Sequence, residues 1–160
     1  MYSITKVFRF ESAHRLSKGY EGKCQNIHGH NYICEITIRG DKLDEFGFIK
    51  DFSNFKEIKL FLDDLFDHKL ILHEDDPFII EFERTNCDYR FGGKAYFNEK
   101  ENEQEFGYVL MEDNPTVEVM SKFIYDEIKK WYDVRVYKIK LYENENSWCE
   151  YTEGNDRKRK

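Results

Sequence analysis

The sequence contains no apolar stretch that approaches the roughly 20 residues needed to cross a bilayer, so we expect no membrane contact. Residues 1–6 lack the apolar segment of a signal peptide, which makes a cytoplasmic location the default expectation. A formal net charge of -7 argues against a nucleic-acid-binding surface. The 4 cysteines form no Cys-x-x-Cys pair and are predicted to be reduced thiols rather than a disulfide framework.

The chain also has neither an internal repeat nor a low-complexity linker, and its 160 residues match the length of one ordinary domain. We therefore expect a single domain over residues 1–160. Aromatic residues are abundant at 17%, which indicates aromatic packing in the core, at subunit contacts or around a flat ligand.

Hydrophobic periodicity predicts four strands and two helices. Alternating side chains indicate half-buried strands over residues 2–14, 27–39, 134–142 and 148–152. Apolar residues at three- and four-residue steps indicate two amphipathic helices, one over residues 52–66 and one ending near Trp131. The second helix is expected to begin with Asn114 as its cap and Pro115 in its first turn. The order ββααββ predicts an α+β fold with an antiparallel sheet.

An insertion of about residues 73–113 separates the two predicted helices. It could hold a small extra hairpin around Gly92 and Gly93, and the polar residues 98–105 are expected to form a mobile tip. His73 precedes three acidic residues and is expected to be solvated.

Two histidines, His28 and His30, stand two positions apart at the start of the second predicted strand. Successive strand side chains point to opposite faces, so both imidazoles are expected on one face. If the first two strands pair as antiparallel neighbours, His14 comes opposite them. Three histidines with no neighbouring carboxylate ligand match a catalytic zinc site that keeps an open position.

Cys24 leaves two alternatives open. It precedes His28 by four positions and could complete a closed structural site as the fourth ligand. It could instead lie beside the metal and act as a thiolate base or nucleophile. In the plainest interpretation, His14 ends an ordinary strand and His28 and His30 belong to a turn, but Cys24 and the matching partner strand favour a metal.

Three carboxylate and imidazole side chains are further candidates. Asp67 and His68, at the end of the first helix, could form a pair that relays protons, although the helix dipole alone favours a histidine there. Glu143 shares strand parity with apolar residues and could pair with ligand N–H groups, or it could be a surface charge at a strand end.

These residues fall in six motifs that occur in the same order in a known family. The motifs are Phe10-Glu11-Ser12-Ala13-His14-Arg15-Leu16, Cys24-x-x-x-His28-Gly29-His30-Asn31-Tyr32, Gly47-x-Ile49-x-Asp51-Phe52, Asp67-His68-x-Leu70, Asn114-Pro115-Thr116-x-Glu118 and Tyr142-Glu143. The chain resembles the 6-pyruvoyl-tetrahydropterin synthase / 6-carboxy-tetrahydropterin synthase family over nearly its whole length, except for about residues 73–113. One departure is Asn144, where many members have Thr.

The resemblance implies the tunnelling fold (T-fold), with four antiparallel strands and two helices on one face. Family members typically form homohexamers, built as dimers of trimers, in which strands of several subunits close a barrel. Their active sites lie at subunit interfaces.

The resemblance also implies roles for nine residues. They are the Zn2+ ligands His14, His28 and His30; the catalytic base Cys24; the relay residues Asp67, His68 and Glu143, of which Glu143 also anchors the pterin; and the pterin-pocket residues Thr116 and Glu118.

The implied substrate is 7,8-dihydroneopterin triphosphate. The carboxy branch of the family belongs to the 7-deazaguanine (queuosine) pathway and yields 6-carboxy-5,6,7,8-tetrahydropterin with release of triphosphate and acetaldehyde. The pyruvoyl branch eliminates triphosphate and retains the side chain, and a non-catalytic pterin- or zinc-binding protein is a further alternative. The three-residue gap between Cys24 and His28 resembles the carboxy-type pattern, so a zinc-dependent lyase of that branch is the expected function.

Overall fold

The computed structural model of the protein describes residues 1–79, 107–132 and 135–153. Its regular elements are β1 (Tyr2–His14), β2 (His28–Gly40), α1 (Lys56–Phe66), β3 (Lys69–His73), β4 (Tyr108–Met111), α2 (Val117–Trp131), β5 (Val136–Asn144) and β6 (Ser147–Tyr151). β1 and β2 are antiparallel neighbours over their full 13 residues, from Tyr2 opposite Gly40 to His14 opposite His28. β5 and β6 are also antiparallel neighbours, so the predicted strands at the start and at the end of the chain each form an antiparallel pair.

The sheet has more strands than the sequence predicted. Its six strands follow the order β4-β3-β1-β2-β5-β6, and β3 and β4 run parallel to their neighbours. This corrects the expectation of four antiparallel strands: the described sheet is mixed. β3 follows α1 after only two residues and contains the short apolar run Leu70–Ile71–Leu72, which periodicity alone cannot distinguish from the end of a helix.

The two long helices begin with different capping arrangements. The side chain of Asp51 accepts a hydrogen bond from the backbone N–H of Ser53, and a short 3-10 turn, Phe52–Phe55, leads into α1. α2 is capped by Thr116, whose side chain accepts from the N–H of Val119. The prediction that Asn114 is the cap of this helix is therefore wrong by two residues. Neither helix combines the length and apolarity that a membrane crossing would require.

Both helices pack on one face of the sheet, and aromatic rings fill the centre of the core. Phe10 on β1 stacks between Tyr32 on β2 and Phe66 on α1, with ring centroids 5.1 Å apart and interplanar angles of 19° on both sides. All three rings are almost completely buried, together with Met120 and Ile124 of α2. The abundance of aromatic residues is thus explained in part by core packing.

The segment between the helices supplies part of the sheet. β4 falls within the predicted insertion, and Leu72, Leu110 and Ile79 form a second, smaller apolar cluster. The predicted hairpin around Gly92 and Gly93 and the polar residues 98–105 lie outside the described residues.

His73 is buried rather than solvated, with 1% of its surface exposed. It ends β3, and its Nδ1 accepts a hydrogen bond of 3.0 Å from the backbone N–H of Asp75. The nearby Asp76 is also buried and faces Arg15, with 3.2 Å between Asp76 Oδ2 and Arg15 Nε. The acidic neighbours misled the sequence-based expectation, because one of them is itself paired inside the protein.

The stacked position of Phe10 gives a stability prediction. Replacing Phe10 with Ala should lower the free energy of unfolding by about 3–5 kcal/mol, because it leaves a cavity between two buried rings. The matched control is Phe46→Ala, since Phe46 is 75% exposed and its loss should cost within about 0.5 kcal/mol. Chemical denaturation of both variants measures the difference, and equal losses would contradict the described core.

Candidate active site and metal centre

The ends of β1 and β2 bring three imidazoles together. The strand register places His14 opposite His28, and the two-residue spacing puts His30 on the same face as His28. The Nε2 atom of His14 lies 3.1 Å from Nε2 of His28 and 3.1 Å from Nε2 of His30. One ring nitrogen from each residue lies within 4.8 Å of the others, which is the arrangement predicted from the sequence.

The hydrogen bonds on the far side of the rings fix which nitrogen is available. Nδ1 of His14 lies 2.8 Å from the carbonyl oxygen of Pro115, and Nδ1 of His28 lies 2.8 Å from that of Asn26. Since a carbonyl oxygen only accepts, Nδ1 carries the hydrogen in both neutral rings, and each Nε2 presents a lone pair. The 3.1 Å contact between these two Nε2 atoms therefore has two acceptors and no donor.

A metal ion bound between the rings would accept both Nε2 lone pairs and so explain the close contact. Four-coordinate zinc binds histidine nitrogen at about 2.0–2.1 Å, which puts neighbouring ligand atoms about 3.3 Å apart. The 3.1 Å separations are close to that value, and the carbonyl partners on Nδ1 are the kind of support that metal-bound histidines usually have. The three residues present thus fit a metal ion.

Burial favours the uncharged form of two of the three histidines. The pKa of His14 is lowered to about 4, chiefly by desolvation and to a smaller extent by His28 and His30, although the bond to Pro115 opposes the shift. Desolvation also lowers the pKa of His30, although Glu143 opposes the shift. Neutral imidazoles are the form that binds a cation.

A cavity of about 560 Å³ opens beside the histidines. It brings together most of the side chains that the sequence analysis singled out. Those in its wall are His14, His28, His30, Cys24, Thr116, Glu118 and Glu143.

Cys24 lies in a short 3-10 turn, Lys23–Gln25, within the loop between β1 and β2. The backbone N–H of Leu16 donates to the carbonyl of Cys24 at 2.8 Å, which ties the two sides of this loop together next to the histidines. A hydrogen bond with Cys24 raises the pKa of the Tyr20 phenol. Cys24 is not part of the 4.8 Å histidine group, so its sulfur is not gathered with the three ring nitrogens in this structure.

Asp67 and His68 lie elsewhere. Nδ1 of His68 is 3.2 Å from Oδ2 of Asp67, and Oδ1 of Asp67 accepts from the N–H of Glu11 at 3.1 Å. His68 lines a different cavity of about 530 Å³, which shares His30 with the first one. Within one described chain, the pair is therefore not in the cavity that contains Cys24.

The backbone of His68 is unusual. Its φ angle of 58° is in the left-handed region, which a residue with a Cβ rarely adopts. Its N–H donates to the carbonyl of Glu11 at 2.7 Å, which holds this conformation in place. Strained positions of this kind cluster at functional sites, so the geometry keeps His68 a candidate.

The carboxyl of Asp67 is held in its ionised form. Burial, the largest influence, would raise its pKa, but the N–H of Glu11 and the neighbouring His68 and Lys59 together lower the pKa below its usual value. An ionised carboxylate beside an imidazole is what a proton relay needs.

Five residues of the cavity wall were not predicted from the sequence. The additional residues are Leu16, Val117, Asn146, Ser147 and Trp148. Trp148 is the most distinctive of them, because 49% of its surface is exposed although it is a large aromatic residue. Its place at the start of the last predicted strand, residues 148–152, was the available signal, since a hairpin turn next to Glu143 brings its flanking residues into the same wall.

Fold and site together define an α+β protein with a curled, mixed sheet that carries three histidines able to hold a metal ion. The chain belongs to the 6-pyruvoyl tetrahydropterin synthase family, whose model matches residues 3–154. It is 34% identical to a 6-carboxy-5,6,7,8-tetrahydropterin synthase of Rickettsia felis over 94% of this chain and 99% of that protein. It is also 34% identical to the protein of the same name from Haemophilus influenzae, over 96% and 100%.

Solved structures support the T-fold. An uncharacterised protein from Wolinella succinogenes matches with a TM-score of 0.77 at 20% identity, covering 96% of this chain and 98% of that one. The 6-pyruvoyl tetrahydropterin synthase of Caenorhabditis elegans matches with a TM-score of 0.63 at 23% identity, covering 96% of each chain. At these identities the likeness concerns the fold.

The histidine cluster gives a metal-binding prediction. Titration of the metal-free protein with Zn2+ should show one tight site, and His28→Ala should weaken it by at least about 10–100-fold, because a ligand is lost. His68→Ala is the matched control and should leave that site unchanged. Calorimetry with metal analysis measures both, and a site that survives His28→Ala would contradict the assignment.

Burial of His14 gives a pH prediction for the metal-free protein. The pKa of His14 is about 4 in the folded state and near 6.5 in the unfolded chain, so the unfolded state binds more protons between these values. The free energy of unfolding should therefore rise with pH from about 4 to 6.5 and level off above. His14→Gln, which keeps a donor for Pro115, should flatten this rise in denaturation curves. An unchanged slope in the variant would contradict it.

Proposed function

We propose that this protein is a zinc-dependent lyase that converts 7,8-dihydroneopterin triphosphate to 6-carboxy-5,6,7,8-tetrahydropterin, with release of acetaldehyde and triphosphate. The observation that carries the proposal is the single cavity that holds the three histidines, Cys24 and Glu143. The names of the curated relatives support the carboxy product. A role in the queuosine pathway and a cytoplasmic location are parts of the same proposal.

The ligand chemistry supports zinc as the metal. Three imidazoles grouped without a carboxylate, and a thiol outside the group, correspond to a three-histidine site with a free fourth position. A zinc ion bound there would supply Lewis-acid polarisation of the hydroxyl groups on the substrate side chain.

Cys24 is the proposed base. Its place in the cavity wall allows it to reach a ligand held beside the histidines, and its separation from the histidine group leaves the sulfur free to take a proton from the substrate side chain. The Tyr20 phenol, whose pKa the neighbouring Cys24 raises, would be a suitable partner for orienting the thiol.

Glu143 is the proposed anchor for the pterin. A carboxylate can accept two parallel N–H bonds from a flat heterocycle, and Glu143 lies at the end of β5 on the same cavity wall as Trp148. Thr116 and Glu118, at the N-terminus of α2, complete the proposed substrate-binding set. Since the Thr116 hydroxyl already caps the helix, its role would be to shape the wall and hold the start of α2.

The relay requires a second copy of the chain. His68 lines a separate cavity and is in contact with Asp67, so the pair would act on Cys24 of a neighbouring subunit in a homo-oligomer, a hexamer built as a dimer of trimers. Each protomer would then be one T-fold domain over residues 1–160, with the segment 73–113 between its helices. Such an assembly would place active sites at subunit interfaces.

The main alternative is the pyruvoyl product. In that reaction triphosphate is eliminated but the side chain is retained, and the same metal, base and anchor would serve. The three-residue gap between Cys24 and His28 favours the carboxy product. Incubation of the zinc-loaded protein with the substrate, followed by mass spectrometry, should show 6-carboxy-5,6,7,8-tetrahydropterin and acetaldehyde. A retained side chain would favour the alternative, and bound but unaltered pterin would favour a non-catalytic protein.

Replacing Cys24 tests its role as a base. Cys24→Ala should lower kcat by about 100-fold or more, because proton transfer by a positioned side chain contributes on this scale, while one zinc per chain remains bound. Cys149→Ala is the matched control, since this thiol lies outside the cavity wall, and it should keep full activity. Metal analysis accompanies the kinetics, and loss of zinc from Cys24→Ala would identify Cys24 as a ligand instead.

A further inference from the structure

The side chain of Asn114 makes two hydrogen bonds to one distant residue. Its Oδ1 accepts from the backbone N–H of Lys18 at 3.0 Å, and its Nδ2 donates to the carbonyl of Lys18 at 2.8 Å. Both bonds require the same orientation of the amide, because only the oxygen can accept and only the nitrogen can donate. The two residues are 96 positions apart in sequence, so the contact joins separate parts of the fold.

Lys18 belongs to the loop that carries Cys24. This loop connects β1 to β2 and occupies residues 15–27, and its base is closed by the bond from the Leu16 N–H to the Cys24 carbonyl. The Lys18 ammonium adds weaker contacts, 3.4 Å from the carbonyl oxygen of Glu112 and 3.6 Å from Asp113. Because both charged groups are exposed, that ion pair contributes little, and the amide of Asn114 makes the better-defined attachment.

The residue that follows Asn114 contacts the histidine cluster. The next residue is Pro115, a buried residue whose carbonyl oxygen holds Nδ1 of His14. The carbonyl of Asn114 accepts from the N–H of Thr116 at 2.7 Å, which fixes the turn that precedes α2. Asn114 therefore lies between the loop of Cys24 and the residue that orients a candidate metal ligand.

Capping of the helix does not explain this side chain. Thr116 is the residue that caps α2, and the two side-chain hydrogen bonds of Asn114 described above go to the backbone of Lys18. The amide thus has its polar groups directed at the loop instead of at the first turn of the helix.

We propose that Asn114 is a positioning residue that holds the Cys24 loop at a fixed position relative to the histidine cluster. It acts through the backbone of Lys18 on one side and through Pro115 and His14 on the other. Its effect on catalysis rests on the proposed function, whereas its effect on the position of Cys24 does not. Without the two hydrogen bonds from Asn114 to Lys18, Cys24 would sample positions away from the cavity. A displacement of about 1 Å can lower the rate about 100-fold.

The loop itself gives the most direct test. In full-length, zinc-loaded Asn114→Ala, Cys24 should react with iodoacetamide about tenfold faster than in the parent protein, because the loop opens more often. Peptide mass spectrometry resolves each thiol, and the labelling rate of Cys149 should not change. Hydrogen exchange at the Lys18 amide should also become about tenfold faster, since its acceptor is removed. Unchanged rates at both Cys24 and Lys18 would overturn the proposal.

Two further variants separate positioning from general destabilisation. Asp44→Ala is a matched control, because Oδ1 of Asp44 accepts from the N–H groups of Phe46 and Phe48 at 3.0 and 2.8 Å in a loop away from the cavity. It removes two bonds between side chain and backbone and should leave Cys24 labelling unchanged. Asn114→Asp keeps the acceptor for the Lys18 N–H but loses the donor, and it should give an intermediate rate. Equal acceleration of Cys24 in Asp44→Ala would overturn the proposal.

Steady-state kinetics test whether the loss of the Asn114 hydrogen bonds also affects the reaction. Asn114→Ala should lower kcat by about 10–100-fold with KM changed by less than about threefold, because the substrate anchor is untouched while the base is displaced. An unchanged kcat alongside faster Cys24 labelling would overturn the catalytic part of the proposal. If the parent protein has no activity on the substrate, the proposed function fails. The labelling and exchange rates still test whether Asn114 positions the Cys24 loop.

Discussion

The antiparallel pairing of β1 with β2 is the constraint on which the site depends. Its register sets His14 opposite His28, and the two-residue period of a strand then directs His30 to the same face. If the register of the two strands slipped by one residue, the imidazoles of one strand would point to the opposite face of the sheet. The ligand atoms would then be separated. The register is secured farther along the same face of these strands, where Phe10 and Tyr32 stack directly opposite one another in the core. Packing in the core and geometry at the site are thus two consequences of one pairing.

The site holds features that a core built for stability alone would avoid. Two imidazole lone pairs face each other at 3.1 Å, His68 is held in a left-handed conformation, and the neutral His14 is buried at the end of β1. These features have a local energetic cost, and the long strands and aromatic core offset it. The separation of the Asp67–His68 pair from the cavity of Cys24 is the other notable arrangement, because it makes one chain by itself an incomplete version of the proposed active site.

Sequence reasoning succeeded where patterns are long and local. The thirteen-residue strands β1 and β2 alternate clearly, and the spacing of His28 and His30 with a strand ending at His14 was enough to predict their meeting. It failed for β3 and β4, which have five and four residues and no distinctive period. It also failed for His73 and Asn114, whose surroundings are set by residues far away in the chain. The role of Asn114 at Lys18 in particular depends on a tertiary contact that no local pattern encodes.

The central claim is that three histidines form a metal site with an open position and that the thiol of Cys24 stays outside it. X-ray absorption spectroscopy of the zinc-loaded protein tests this most directly, because nitrogen and sulfur ligands differ in distance. The account predicts three nitrogen ligands and one oxygen ligand at about 2.0–2.1 Å, with no sulfur contribution. A zinc–sulfur distance of about 2.3 Å would contradict it and would make the site a closed structural one.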